Sequence, residues 1–415
     1  MHFLAGEDVQ LDRKLFLFDI QATQAHVQGL ASINVLSAAE CMALCEELDR
    51  LADAFARGDF ALDGQFEDGH SAIEHWLTSR LGDVGAKVHT GRSRNDQVLV
   101  ASRLYLLHSL EQVATHCIDI ASVCLERAAG SADVPMPGYT HLQRAVVSSL
   151  GMWFAGFAEA FADNYQLACH TLDWINSNPL GTAAGYGVNL PLDRDLTTKT
   201  LGFDRMQVNP IYTQNSRGKF ELQSLMVVAQ SLQDVRRLAW DLSLYTTAEF
   251  NFVRLPEKYT TGSSIMPNKR NPDVVELLRS AAGVVQGAMA ELSSILSLPS
   301  GYHRDLQGTK APLLRATEHG IAALALIPDL LANLEFDRNT MTEAIDNGMF
   351  ATDMAVDLAA QNIPFRQAYR QVKESLDDIK EFSASDSLKQ RTSPGAAADL
   401  RLEQIRRRLM RTSDK

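Results

Sequence analysis

Three long stretches without an internal proline constrain the fold of this chain. They run through residues 138–178, 211–255 and 273–298, and turn-forming residues bound each of them. Proline removes a backbone hydrogen-bond donor and clashes with the preceding helical turn, so it interrupts helices. We therefore expect each stretch to hold a long continuous helix.

Apolar side chains in the second stretch recur in alternating steps of three and four residues, as on the buried face of a bundle helix. They are Leu225, Val228, Leu232, Val235, Ala239 and Leu242. Such long helices need long partners to bury their apolar faces. Aromatic residues make up only 7% of the chain, which also favours packed helices over a β-sandwich. The sequence predicts an all-α fold with a central bundle of about five long helices.

Length and composition predict more than one domain. A chain of 415 residues with 46% hydrophobic content can bury a large core. Shorter helical patterns, such as residues 37–57, precede the long stretches. We expect an N-terminal helical domain at 1–92, a central long-helix bundle at 93–345 and a small helical domain at 346–415. The last domain ends in a basic amphipathic stretch at 401–411.

Charge and cysteine content narrow the classes of function. The net charge of −12 argues against non-specific binding to nucleic acid and against docking on an acidic membrane. Five cysteines without Cys-x-x-Cys spacing indicate neither a disulfide framework nor a zinc site. The first residues lack a leader pattern, and no apolar run is long enough to span a bilayer. We expect a cytoplasmic protein.

The segment at residues 262–273 carries the strongest chemical signal. Gly262 precedes two serines, and a pair of cations lies between two prolines. Asn271, Pro272 and Asp273 predict a helix N-cap, a first-turn proline and a first-turn acid. Helix amides and a lysine suit an anionic ligand, and such surroundings can stabilise a serine oxyanion. An isolated Gly-Ser-Ser would more often be an ordinary surface loop.

This segment resembles the signature loop of the fumarase/aspartase superfamily. Residues 89–98, 138–143 and 302–310 resemble further blocks of the argininosuccinate lyase family, in the family's order. The run Thr-Gly-Arg-Ser-Arg-Asn-Asp at 90–96 is the most discriminating, because sister lyases share the serine loop but not this run. The resemblance spans about residues 12 to 370.

The resemblance implies a reversible anti β-elimination of argininosuccinate to L-arginine and fumarate, the last step of arginine biosynthesis. A proton must leave a carbon beside a carboxylate, so the reaction needs a base, fixed positive groups and an acid for the leaving nitrogen. Developing charge can be met by lysine and amide donors, and no metal or organic cofactor is implied.

The resemblance also assigns the catalytic roles. Ser263 is the expected general base, and His141, paired with Glu276, is the expected general acid. Lys269 is expected to stabilise the carbanion and its carboxylate. Two alternatives stay open: Ser264 could replace Ser263, and His141 could be the base.

Substrate binding is implied for eight further residues at positions that match the family's motifs. They are Ser93, Arg94, Asn95, Thr140, Asn271, Tyr302, Gln307 and Lys310. The family forms homotetramers in which each site draws on three subunits. The resemblance therefore implies self-association with shared sites.

Some positions depart from the family pattern near the expected amino-acid end of the substrate. Asp8 stands where the family has a serine, His303 where asparagine is usual, and Gly308-Thr309 where Glu-Asp is usual. A negative charge at Asp8 would suit a guanidinium or amino group and repel a phosphate. Two other functions remain possible: an adenylosuccinate lyase-like sister enzyme, or a catalytically silent structural homologue like the lens crystallins.

Overall fold

A computed structural model describes residues 7–376 and 383–410, and most of these residues are helical. The helices are α1 Asp8–Ser32, α2 Ala38–Arg57, α3 Gly69–Leu81, α4 Asp83–Ala86, α5 Arg94–Ala129, α6 Leu150–Ile175, α7 Arg194–Thr200, α8 Pro210–Asn215, α9 Lys219–Tyr245, α10 Asp273–Ile295, α11 Lys310–Ala332, α12 Arg338–Glu343, α13 Ala351–Ala360, α14 Phe365–Glu374, α15 Ala384–Gln390 and α16 Leu402–Arg408. The predicted all-α class is confirmed.

Strands are short and occur in pairs. The strands are β1 Pro135–Thr140, β2 Gln143–Ser149, β3 Ser177–Asn178, β4 Arg205–Met206, β5 Val253–Arg254, β6 Thr261–Gly262, β7 Arg270–Asn271 and β8 Glu335–Phe336. β1 and β2 form an antiparallel hairpin, and β6 pairs with β7. A short 3-10 helix at Arg304–Thr309 leads directly into α11.

The helix α9 follows the predicted periodicity. All six residues of the apolar stripe in α9 are buried, which confirms that this face packs in a core. The 37–57 pattern is the helix α2, where the Ser37 hydroxyl and the Glu40 carboxylate form a capping box. The longest helix is α5, with 36 residues. Among the described residues, no helix is both long and apolar enough to cross a membrane.

The chain divides into two compact units. Unit 1 holds described residues 7–113, 167–229 and 283–321, and unit 2 holds 114–166, 230–282 and 322–376 with 383–410. Each unit combines several separate segments, so the two units do not correspond one to one with consecutive sequence domains. The three domains proposed from the sequence stay a prediction. In the predicted basic stretch at 401–411, α16 covers Leu402–Arg408, and Arg411 lies outside the described residues.

The core of unit 1 fixes the N-terminal helices. Leu30, Leu48, Ile73 and Leu77 are fully buried in one cluster supplied by α1, α2 and α3. Asp68 caps the first turn of α3 by accepting a hydrogen bond from the Ser71 amide. The Gly69 amide donates to Asp12 Oδ2 at 2.9 Å, which holds the start of α3 against α1.

In unit 2, the expected helix at 138–178 is wrong over its first twelve residues. The helix α6 begins only at Leu150, and the preceding residues form the β1–β2 hairpin. His141 and Leu142 have φ values of 55° and 58°, as in a tight hairpin turn between Thr140 and Gln143. A Cβ at Gly138 would lie 2.9 Å from the Val146 carbonyl oxygen, which only glycine tolerates without a shift. An absence of proline permits a helix but does not require one.

Candidate active site

Five of the predicted substrate-binding residues line one cleft in unit 1, with a volume of about 180 Å³. They are Arg94, Asn95, Tyr302, Gln307 and Lys310. The start of α5 contributes the first two residues. Gln307 lies on the 3-10 helix, Tyr302 precedes that helix, and Lys310 is the first residue of α11. We call this cavity the unit 1 cleft.

Lys310 lines the unit 1 cleft and is buried. Its Nζ donates to Asp12 Oδ1 at 2.6 Å and to Asp8 Oδ1 at 3.1 Å, both on α1. Burial alone would lower the pKa of Lys310, but Asp12 and Asp8 outweigh it and raise that pKa. Gln307 Nε2 also donates to Asp8. One ammonium and two carboxylates leave this cluster with a net negative charge, which suits a cationic part of a ligand.

The start of α5 is held by hydrogen bonds that the sequence analysis did not foresee. Asp96 Oδ1 accepts the Ser93 amide at 3.0 Å, while Asp96 Oδ2 accepts the amides of Gly181 and Ala183. Ser93 Oγ accepts the Asn95 amide at 3.2 Å. Buried Asp96 thus fixes the turn that carries these two predicted residues.

Arg94 projects toward acidic partners. Its guanidinium lies 3.1 Å from Glu67 and 3.0 Å from Asp68. Burial lowers its pKa, and the two carboxylates outweigh that effect and raise it. Arg94 is therefore already paired, and a carboxylate of a ligand would compete with Glu67 and Asp68 for it.

Several residues of the unit 1 cleft were missed from sequence, including Asp12, His70 and Arg217. His70 Nδ1 lies 2.6 Å from Asp19 Oδ2. Burial lowers the pKa of His70, but Asp19, Asp12 and further carboxylates raise it overall. An aspartate at an N-cap position, Asp68, is the one local signal that could have pointed to this region. Nothing local marks a histidine that becomes buried against α1.

In unit 2, the signature loop is an exposed turn closed by the β6–β7 pair. Ser263 is half-buried, and its Oγ accepts the amides of Ile265 at 3.3 Å and Met266 at 3.0 Å. Two amide donors on one hydroxyl oxygen stabilise negative charge there, as a serine base requires. The Lys269 amide donates to the Met266 carbonyl, and its side chain is exposed.

The helix after the signature loop begins one residue later than predicted. Asn271 belongs to β7, and α10 starts at Asp273, where the Pro272 carbonyl accepts the Glu276 amide at 3.0 Å. The predicted N-cap at Asn271 is therefore wrong. The Glu276 carboxylate is half-exposed and lies 3.9 Å from Arg279 on the same helix.

His141 lies at the exposed tip of the β1–β2 hairpin next to Thr140. It borders a cleft of about 380 Å³ that Trp153 and Asp241 also line. Among the described residues of one chain, His141 and Glu276 form no hydrogen bond or ion pair with each other. Their pairing stays a prediction. The predicted residues thus fall into one group in unit 1 and another in unit 2.

Comparison with known proteins identifies the family. Residues 5–287 match the family model described as "Lyase". Argininosuccinate lyase of Stenotrophomonas maltophilia is 58% identical over 98% of this chain and 94% of its own length. That of Xanthomonas oryzae pv. oryzae is 58% identical over 97% and 93%, respectively. The chain belongs to the argininosuccinate lyase family.

Members of the argininosuccinate lyase family are carbon–nitrogen lyases of the fumarase/aspartase superfamily, so this chain is an enzyme of that class. A solved structure of EDDS lyase in complex with formate has the same fold, with a TM-score of 0.81 and 24% identity. The match covers 97% of this chain and 88% of that one. That match shows the fold, and the two argininosuccinate lyases at 58% identity confirm the predicted family.

Proposed function

We propose that this enzyme converts argininosuccinate reversibly to L-arginine and fumarate by anti β-elimination. The curated relatives at 58% identity are named argininosuccinate lyase. The observation that carries the choice of substrate is the cluster of Asp8, Lys310 and Asp12 in the unit 1 cleft. Its net negative charge suits a cationic leaving group such as an arginine, whereas it would repel a phosphate.

In the proposed mechanism, Ser263 removes a proton from the CH2 carbon of the succinyl group. This carbon lies next to a carboxylate and is not bonded to nitrogen. The electron pair forms the double bond of fumarate as the carbon–nitrogen bond breaks. His141, oriented by Glu276, returns a proton to the leaving nitrogen. Lys269 and Asn271 hold the carboxylate on which negative charge develops. The two amides on Ser263 Oγ support its role as base.

The remaining assignments concern binding. Ser93, Arg94 and Asn95 at the start of α5 would contact the carboxylates of the substrate. Further parts of the substrate would be bound by Thr140, Tyr302, Gln307 and Lys310. The cytoplasmic location expected from composition remains part of this proposal.

We further propose that the enzyme acts as a homotetramer with shared sites. Leu277, Val284 and Gly287 lie on one face of α10, at spacings of seven and three residues. Leu277 is 69% exposed, and a Cβ built at Gly287 meets no atom within 4 Å. An exposed apolar helix face with a small residue suits close packing against a second copy. The shared site would also let His141 meet Glu276 of a different subunit.

Substrate choice tests the proposed function directly. We expect the protein to release fumarate from argininosuccinate and to release none from adenylosuccinate. The ultraviolet absorbance of fumarate measures the release. Comparable kcat/KM values for the two compounds would favour the sister-lyase alternative. A well-folded protein that cleaves neither compound would favour a silent structural homologue.

Mixing inactive variants tests the shared sites. His141→Asn and Lys269→Ala should each be nearly inactive, yet a mixture that has exchanged subunits should regain activity. Hybrid tetramers would contain some sites that carry neither change. Subunit exchange is verified by native mass spectrometry, and exchange without regained activity contradicts the sharing of sites between subunits.

A further inference from the structure

Arg217 is a buried cation of the unit 1 cleft with no assigned role. It lies between α8 and α9, and its Nη2 donates to the Leu306 carbonyl at 2.9 Å. Burial lowers its pKa, while Glu221, Tyr302 and Asp8 act in the opposite direction. Gly218, with φ of 88°, follows it in a turn where a Cβ would collide with Leu296. This turn therefore fixes the position from which the Arg217 side chain extends.

The charges of the cleft are unevenly matched. Lys310 has two carboxylate partners, and Arg94 also has two. Arg217, by contrast, donates to a neutral carbonyl, and no carboxylate of the described residues lies within 4 Å of its guanidinium. A guanidinium has five N–H donors, of which this hydrogen bond uses one. A buried cation without an ion pair is costly unless a ligand supplies the anion.

We propose that Arg217 binds the α-carboxylate of the amino acid that leaves in the reaction. The net-negative cluster of Asp8, Lys310 and Asp12 lies in the same cleft and would hold the α-ammonium group. Together they recognise the two opposite charges of a free amino-acid end. Lys310 is poorly suited to the α-carboxylate because Asp8 and Asp12 already neutralise it. This inference rests on the proposed function.

Arg217 also connects binding to the local backbone. The carbonyl that it holds belongs to Leu306, whose neighbour Gln307 is an expected ligand of the substrate. A purely structural Arg217 would only hold this 3-10 helix in place. A binding Arg217 would in addition distinguish substrates by their carboxylate, and the two roles can therefore be separated.

The test compares argininosuccinate with an analogue that lacks the α-carboxylate. This analogue is agmatine whose guanidinium nitrogen carries the same 1,2-dicarboxyethyl group as in argininosuccinate. We expect the unaltered enzyme to prefer argininosuccinate by about 10- to 100-fold in kcat/KM, the usual range for a hydrogen-bonded charge pair. Arg217→Gln should reduce this preference to about threefold or less, mainly through KM for argininosuccinate. Arg217→Lys, which keeps the charge, should retain part of it.

The control is Lys219→Gln, an exposed cation two residues away that bonds to Tyr212 and does not line the cleft. It should leave the preference unchanged. An equal loss for both substrates in Arg217→Gln would show a structural role only and overturn the proposal. If the unaltered enzyme cleaves neither compound, the proposed function fails. Calorimetry with L-arginine and agmatine then decides about Arg217, and equal affinity for the two would overturn its assignment.

Discussion

Ser263→Ala should abolish nearly all turnover while leaving the fold intact. The hydroxyl accepts two loop amides and fills no core, so its loss removes the proposed base without opening a cavity. Loss of a general base typically costs about 10²-fold or more in rate. We expect kcat for argininosuccinate to fall by at least that factor, with an unchanged circular dichroism spectrum and melting temperature.

Ser264→Ala is the matched control for Ser263→Ala. Ser264 is exposed on the same loop, and its side chain makes no hydrogen bond among the residues that the structure describes. This variant should keep most of its activity. If Ser263→Ala retained more than about a tenth of kcat while Ser264→Ala did not, the base would be Ser264.

Sequence periodicity was sufficient to predict the helix α9 and its buried face. Each turn of α9 presents an apolar residue to the same side, and all the predicted positions are buried. This pattern is local, because a helix returns to the same face every 3.6 residues whatever lies opposite. The helical pattern at 37–57 is equally local, and it differs from α2 only at its first residue, Ser37, which is the N-cap of the helix.

The β1–β2 hairpin shows where local reasoning fails. The hairpin turn contains His141 and Leu142, without the Asn-Gly or Asp-Gly pair that usually marks such turns. Two non-glycine residues at positive φ are unfavourable by themselves, so the surrounding structure must hold them. Strain of this kind clusters at functional sites, which fits the expected role of His141.

The unit 1 cleft was only partly predictable, because its partners are far apart in sequence. The motif identified Lys310, and the departure at Asp8 was noticed, but Asp12 carried no local signal. Lys310 and Asp12 are 298 residues apart and meet only when α11 folds against α1. Arg217 likewise reaches Leu306 across 89 residues. Burial of this kind depends on tertiary packing rather than on any local sequence pattern.

Lys310→Met should strongly destabilise the fold as well as impair binding. Removing one partner of a buried ion pair leaves the other charge uncompensated, at a cost of about 3–5 kcal/mol in the free energy of unfolding. Here two carboxylates, Asp8 and Asp12, lose their shared ammonium. The matched control is Lys14→Met, because Lys14 lies on the same helix as both carboxylates. Its exposed ion pair with Glu318 contributes about 0–1 kcal/mol to stability.

The effect of Lys310→Met should also depend on pH. The folded-state pKa of Lys310 is raised, so its stabilising contribution is fully present below its unfolded value near 10.4 and is lost only at higher pH. Urea unfolding should therefore show a loss of stability in Lys310→Met that is constant from about pH 6 to about pH 9 and shrinks only as the pH rises above about 10.4. A loss as small as that of Lys14→Met, or one that does not shrink at strongly alkaline pH, would contradict a buried, charge-compensating role for Lys310.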